Sequence, residues 1–154
     1  MSAPPKVIIY TDGACSGNPG AGGYGVVMMT STKRKELSAA FRATTNNRME
    51  LSAVIAGLAE LRTRCEVSIY TDSQLIVNAM TKGWIKNWQA NNWVTSSKSK
   101  VKNIDLWEKL SALCKEHDVT FHWIRGHSGN AENERCDVLA RDAIKSGKFG
   151  DMDD

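Results

Sequence analysis

The chain has 154 residues, 42% of them apolar and 24% charged, the balance of one globular domain large enough to bury a core without disulfides. No apolar run approaches the roughly 20 residues of a membrane span, and Met1-Ser2-Ala3-Pro4-Pro5 lacks the basic-then-apolar order of a secretory leader. A net charge of +3 is too small to name a partner. Cys15, Cys65, Cys114 and Cys136 are scattered without Cys-x-x-Cys spacing, which fits reduced thiols in a cytoplasmic protein better than a zinc site or a disulfide framework.

After a flexible start over residues 1–5, the β-branched and aromatic run Lys6 to Thr11 predicts a buried strand. Gly13 to Gly23 carries turn chemistry throughout. Tyr24 to Met29 and Glu36 to Phe41 predict two more strands, and the short polar joint around Ser31-Thr32-Lys33 makes that pair antiparallel. Met49 to Arg62 predicts a helix, with Leu51, Val54, Ile55, Leu58 and Leu61 as its core stripe. Glu66 to Thr71 is a fourth strand, and Ser73 is placed to cap a short helix ending at Met80. A small tryptophan-bearing helix and an irregular basic loop follow, then a helix over Asp105 to Lys115 and a fifth strand over Val119 to Trp123. The last helix runs from Glu132 to Lys145, with Cys136, Leu139, Ala140, Ala143 and Ile144 on its apolar face, and an acidic tail over residues 147–154 is expected to fray. The order implies an α/β fold: a mixed five-stranded sheet, three antiparallel strands and then parallel ones, with helices on both faces.

Ile-Tyr-Thr-Asp occurs twice, ending in Asp12 and in Asp72. Each copy closes a predicted strand, so neighbouring strands would bring two carboxylates to one sheet edge. Close carboxylates repel unless a cation lies between them, and a divalent metal held by acids suits phosphate chemistry. Each Asp could equally open a turn. Glu50 is either the acid of a capping box with Asn47 as N-cap, or a carboxylate aimed across the sheet edge because Ala53 and Gly57 let that side of its helix come close. Asp137 borders an apolar helix face and needs a partner; Arg141 four residues on is one, a metal the other. His127, in the glycine-flanked Arg125-Gly126-His127-Ser128-Gly129, is a surface histidine or a proton carrier beside an acidic site. Between Ser73 and Ile104 no acid occurs, while Lys82, Lys86, Lys98, Lys100 and Lys102 are interleaved with Trp84, Trp88 and Trp93. That stretch is either a nucleic-acid surface or a solvated lysine loop with tryptophans turned inward.

The ordered series Tyr10-Thr11-Asp12-Gly13, Gly17-Asn18-Pro19-Gly20, Gly22-Gly23-Tyr24-Gly25, Thr44-Thr45-Asn46-Asn47-Arg48-Met49-Glu50-Leu51, Thr71-Asp72-Ser73-Gln74, Trp84-Ile85-Lys86-Asn87-Trp88, Val101 to Trp107, Gly126-His127-Ser128-Gly129 and Glu132 to Asp137 resembles bacterial-type ribonuclease HI. It covers nearly the whole chain, from about residue 6 to residue 145.

The resemblance implies the ribonuclease H-like fold over residues 6–146, with a basic handle at about 81–102. It implies a monomer that hydrolyses the RNA strand of RNA–DNA hybrids to 3′-hydroxyl and 5′-phosphate ends. Asp12, Glu50, Asp72 and Asp137 would be the metal-binding carboxylates and His127 their neighbour. Two Mg²⁺ ions about 4 Å apart, replaceable by Mn²⁺, would activate water and stabilise the leaving oxygen. Cys15 to Asn18, Asn46, Glu50 and Gln74 would read 2′-hydroxyls. Asn47, Trp84, Asn87 and Trp88 would carry the DNA strand, with Thr45 at a DNA phosphate. A non-catalytic module binding hybrid or double-stranded RNA, and a DNA nuclease of the same fold, are the alternatives. Two features depart from the family pattern. Gln89-Ala90-Asn91-Asn92 stands where many members have basic residues after the second handle tryptophan, and Ala43 where some carry a phosphate-binding Arg. Both departures imply weaker, less salt-sensitive substrate binding than in a more basic member.

Overall fold

Val7, Ile9 and Thr11 are buried and alternate with more exposed neighbours, the period of a strand with one face on the core. This strand, β1 (Lys6–Cys15), is followed by β2 (Gly20–Met29) and β3 (Arg34–Thr44) in an antiparallel meander. The computed structural model describes residues 3–126 and 128–150. The remaining elements are α1 (Asn46–Ala59), β4 (Glu66–Thr71), α2 (Gln74–Thr81), α3 (Trp84–Ala90), α4 (Ile104–Glu116), β5 (Asp118–Trp123), α5 (Ala131–Ser146) and β6 (Phe149–Gly150). The strand order is β5-β4-β1-β2-β3-β6, with β4 parallel to β1 and β5 parallel to β4.

The two Ile-Tyr-Thr-Asp copies are neighbours in register. Ile9 lies opposite Ile69 and Tyr10 opposite Tyr70, and the two tyrosine rings stack with centroids 4.9 Å apart. His122 continues the ladder on the edge strand, 4.7 Å from Tyr70.

The structure differs from expectation in four places, each for a physical reason. The Gly13–Gly23 segment is less of a turn than its composition suggests: β1 runs on to Cys15 opposite Gly22, because backbone pairing in a hairpin needs no side chains. The first helix starts at Asn46, and its N-cap is Thr45, whose hydroxyl accepts from the Arg48 amide at 3.3 Å. Asn47 is therefore already helical and no Asn47–Glu50 capping box exists. Helix α1 ends at Ala59, leaving Leu61 in the turn beyond, and it is buried by both the sheet and α4, so its apolar surface is broader than one stripe. Finally, the sheet has a sixth strand. Gly147 turns the chain with φ 70° and Phe149 pairs with Ala40 under the Arg42 guanidinium. The expected fraying over 147–154 does not hold for residues 147–150; residues 151–154 lie outside the described ones.

Helices α1 and α4 share one continuous core with the face of the sheet that holds Ile9, Val26, Val67 and Ile69, while α5 packs on β1, β2 and β3. Glycines set both approaches. A Cβ at Gly57 would sit 3.1 Å from Ile9, so α1 lies close to β1. A Cβ at Gly25 would lie 2.2 Å from the Cys136 carbonyl, so α5 rests directly on the β2 backbone. Salt bridges Arg135–Glu36 (2.8 Å) and Arg34–Glu132 (2.7 Å) fasten the same helix to β3, but exposed pairs like these contribute little beside the packing. Gly25→Ala is expected to lower stability by about 1–3 kcal/mol, because backbone rather than a mobile side chain must yield. Urea unfolding should show a lower midpoint with an unchanged slope.

Candidate active site

Gly25 is the register partner of Asp12, so the helix that rests on Gly25 delivers Asp137 to the same end of the sheet as Asp12. Asp72 follows the last residue of β4, two positions beyond the Tyr10–Tyr70 stack. Glu50 arrives from α1. Its Oε1 accepts from the Gly13 amide at 2.6 Å, and the same N–H lies 3.0 Å from Asp12 Oδ1. That approach needs glycine at 13, where a Cβ would meet the Glu50 amide nitrogen at 2.7 Å.

Asp12, Glu50 and Asp72 each offer a carboxylate oxygen within 4.8 Å of the others. Asp12 is 6% exposed and Glu50 5%. Burial pushes the Asp12 carboxyl up to about 7, and the charge of Asp72 adds to it. Burial, with Asp12 and Asp72 nearby, likewise pushes Glu50 well above the usual carboxylate range. Glu50 Oε2 is buried with no hydrogen-bond partner. An orphaned acceptor among crowded acids is what a hard divalent cation would satisfy, so the donor set fits such an ion. Asp137 stands outside the tight trio. It lines the same cleft and pairs with Arg141 at 2.9 Å, so its helical neighbour does partner it.

The cleft, of about 530 Å³, is lined by Asp12, Glu50, Asp72 and Asp137 together with Cys15, Asn46, Asn47 and Gln74. Asn46 and Asn47 open α1 and Gln74 opens α2, each exposed at a helix start. Asn18 lies beside them, its Oδ1 accepting from the Asn46 amide at 3.2 Å, which closes the glycine-rich loop onto α1. Thr45 caps that helix. His127 lies outside the described residues. Its neighbour Gly126 does not: a Cβ there would be 2.6 Å from Asp72 Oδ2.

Trp84, Asn87 and Trp88 line a separate groove of about 890 Å³. Trp84 is exposed, whereas Trp88 packs edge-on against the buried Trp107 at 5.4 Å, so the tryptophans divide between surface and core. Lys98, one of the interleaved lysines, lines this groove as well, together with Asn91, Thr95 and Ser96; of these, Thr95 and Ser96 carry no signal in the sequence. Only the lysine-and-tryptophan composition pointed there; the left-handed turns at Asn92, Trp93 and Lys98 fold the loop back in a way no periodicity announces.

A mixed sheet that gathers carboxylates beside an open polar cleft, just beyond the point where its parallel neighbours β1 and β4 stop pairing, is the architecture of the ribonuclease H-like class. The RNase H family profile matches residues 4–145. A ribonuclease H from Desulforamulus reducens is 59% identical over 140 residues, covering 91% of this chain and 88% of that protein. Among solved structures, LC9-RNase H1, described as a type 1 RNase H with the type 2 active-site motif, superposes with a TM-score of 0.85 at 33% identity, over 96% of this chain and 76% of that one. LC11-RNase H1, solved in complex with an RNA/DNA hybrid, matches with a TM-score of 0.67 at 31% identity, over 92% of this chain and 98% of that one. The chain belongs to the ribonuclease H family and is a nuclease.

The raised carboxyl sets a pH dependence. Asp12 takes up its proton at about 7 when folded and near 3.8 when unfolded. Its contribution to stability is therefore complete below about pH 4 and is lost as the pH rises through 7. In chelator, the melting temperature of the wild type should fall from pH 4 to pH 8. Asp12→Asn should flatten that profile and raise stability at pH 8, by on the order of a few kcal/mol at most. A variant that keeps the slope and gains nothing would place the repulsion elsewhere.

Proposed function

We propose that residues 6–146 form a catalytic domain that hydrolyses the RNA strand of RNA–DNA hybrids, leaving 3′-hydroxyl and 5′-phosphate ends. The observation that carries this reading is the trio Asp12, Glu50 and Asp72, oxygens within 4.8 Å and Glu50 Oε2 unpaired, in a chain of the ribonuclease H family. Asp12, Glu50 and Asp72 would hold Mg²⁺, two ions when substrate is bound, with Asp137 at the cleft margin and Mn²⁺ as a substitute. Such ions, when present, supply water activation and neutralise charge on the phosphate and the leaving oxygen.

The rest falls to the chain's own groups. Asn46 and Gln74, at two helix starts facing the cleft, are placed to hydrogen-bond 2′-hydroxyls, as are the backbone groups from Cys15 to Asn18; only RNA presents that donor and acceptor. The exposed ring of Trp84, with Asn87 and Trp88 in the handle at about 81–102, would carry the deoxyribose strand, where an extra hydroxyl has no room. Asn47 would lie along the DNA strand as well, and the Thr45 hydroxyl would meet a DNA phosphate when not capping α1. Gly13 orients the site by donating one N–H toward two carboxylates, and no side chain needs to form a covalent bond. His127 follows Gly126, which abuts Asp72, and would move protons at water activation or product release. Among the described residues no helix is long and apolar enough to cross a membrane; a cytoplasmic monomer is proposed from the scattered thiols and the family pattern.

The test is cleavage of a labelled hybrid beside matched duplex RNA and duplex DNA, with Mg²⁺, Mn²⁺ or chelator. Hybrid-only cleavage that needs metal, yields 5′-phosphate ends and falls at least 100-fold in Asp12→Asn is expected. Cleavage of duplex DNA would favour a DNA nuclease of this fold. Binding without turnover would favour a non-catalytic module.

A further inference from the structure

Asp72 is held unlike its two partners. Asp12 and Glu50 both lie against the Gly13 amide, whereas no hydrogen bond reaches the Asp72 carboxylate from the described residues. Its place depends on the main chain beneath it. That main chain is clamped at the end of β5: the Ile124 amide donates to the Thr71 carbonyl at 2.9 Å, and the Trp123 indole Nε1–H donates to the Asp72 carbonyl at 3.1 Å. On the other side of the β4 end, the Ser73 amide donates to Thr71 Oγ1 at 3.1 Å.

Trp123 is an unusual residue for its position. Its side chain is 46% exposed on the edge strand of the sheet, where solvated or charged residues are the common choice. Burial does not account for a large indole there; the bond to Asp72 does. Three residues beyond the strand end, Gly126 lies against the Asp72 carboxylate, where a Cβ would be 2.6 Å from Asp72 Oδ2 and would push that oxygen aside. One short segment, Trp123 to Gly126, therefore holds the main chain of the third acid from behind and lies beside its carboxylate in front.

We propose that Trp123 is a positioning residue, whose indole N–H holds Asp72 at the geometry in which the three acids share a divalent cation. The proposal rests on the metal reading of the acidic trio. Trp123→Phe is the discriminating variant, because it keeps an aromatic ring on the edge strand while removing the donor, and melting in EDTA reports any cost of the smaller ring.

The full chain, stripped with EDTA and dialysed, is titrated with MnCl₂ by calorimetry, and its melting is followed in EDTA. Trp123→Phe should bind Mn²⁺ about threefold to tenfold more weakly than wild type, the range one net hydrogen bond accounts for. Its melting in EDTA should stay near wild type, the metal concentration for half-maximal hybrid cleavage should rise by the same factor, and KM for hybrid should not move. Unchanged Mn²⁺ affinity overturns the proposal, and so does a lowered melting temperature in EDTA with unchanged affinity, which would make Trp123 merely structural. Failure of the wild type to bind Mn²⁺ would instead refute the metal reading itself.

Discussion

Three carboxylates held within 4.8 Å, two of them almost fully buried, repel one another and are poorly solvated. Folding accepts that arrangement in only two ways: protons stay on the acids, or a cation neutralises them. Without metal the first solution operates, with Asp12 raised to about 7 by burial and by Asp72. The second displaces those protons. Binding of a divalent cation at this trio would thus be coupled to proton release near neutral pH, and the site is a loaded element that the rest of the fold must keep shut.

The scaffold does so by close backbone approaches rather than by side-chain bonds. Gly25 lets α5 rest on β2, Gly57 lets α1 rest on β1, and Gly13 lets the start of α1 reach the end of β1. Gly25 thereby brings Asp137 on α5, and Gly57 and Gly13 together bring Glu50 on α1, to the sheet end that holds Asp12 and Asp72. The stacked Tyr10 and Tyr70 rings keep β1 and β4 in the register that levels Asp12 with Asp72. Because the acids belong to separate elements, local fraying at any one of them would dissolve the site, and the large shared core under α1 and α4 is the counterweight.

Much of this could be read from the residues. Repeated Ile-Tyr-Thr-Asp implied neighbouring strands with paired acids, and small residues at 53 and 57 implied a close helix. Elements whose boundaries depend on partners could not be read. Where α1 begins was missed because β3 continues to Thr44, opposite Gly20, which leaves Thr45 rather than Asn47 as the first residue free to cap. Extension of β1 through a glycine-rich run, and the short β6 beyond Gly147, rest on backbone pairing to distant strands and leave no side-chain period. Asp137 shows the opposite limit: helical spacing offered Arg141 as its partner, and the structure has that pair and the shared cleft together. The tie from Trp123 to Asp72 spans 51 positions and has no local signature at all.

The most direct test of the account is the titration of the Asp12 carboxyl, followed by carbon-13 NMR in chelator and then in saturating Mg²⁺. The account predicts an inflection near pH 7 in chelator and a marked fall when Mg²⁺ is added, because a bound cation favours the ionised form. An inflection near 4 in chelator, unmoved by Mg²⁺, would contradict it: the acids would then be solvated neighbours rather than a strained, cation-seeking set.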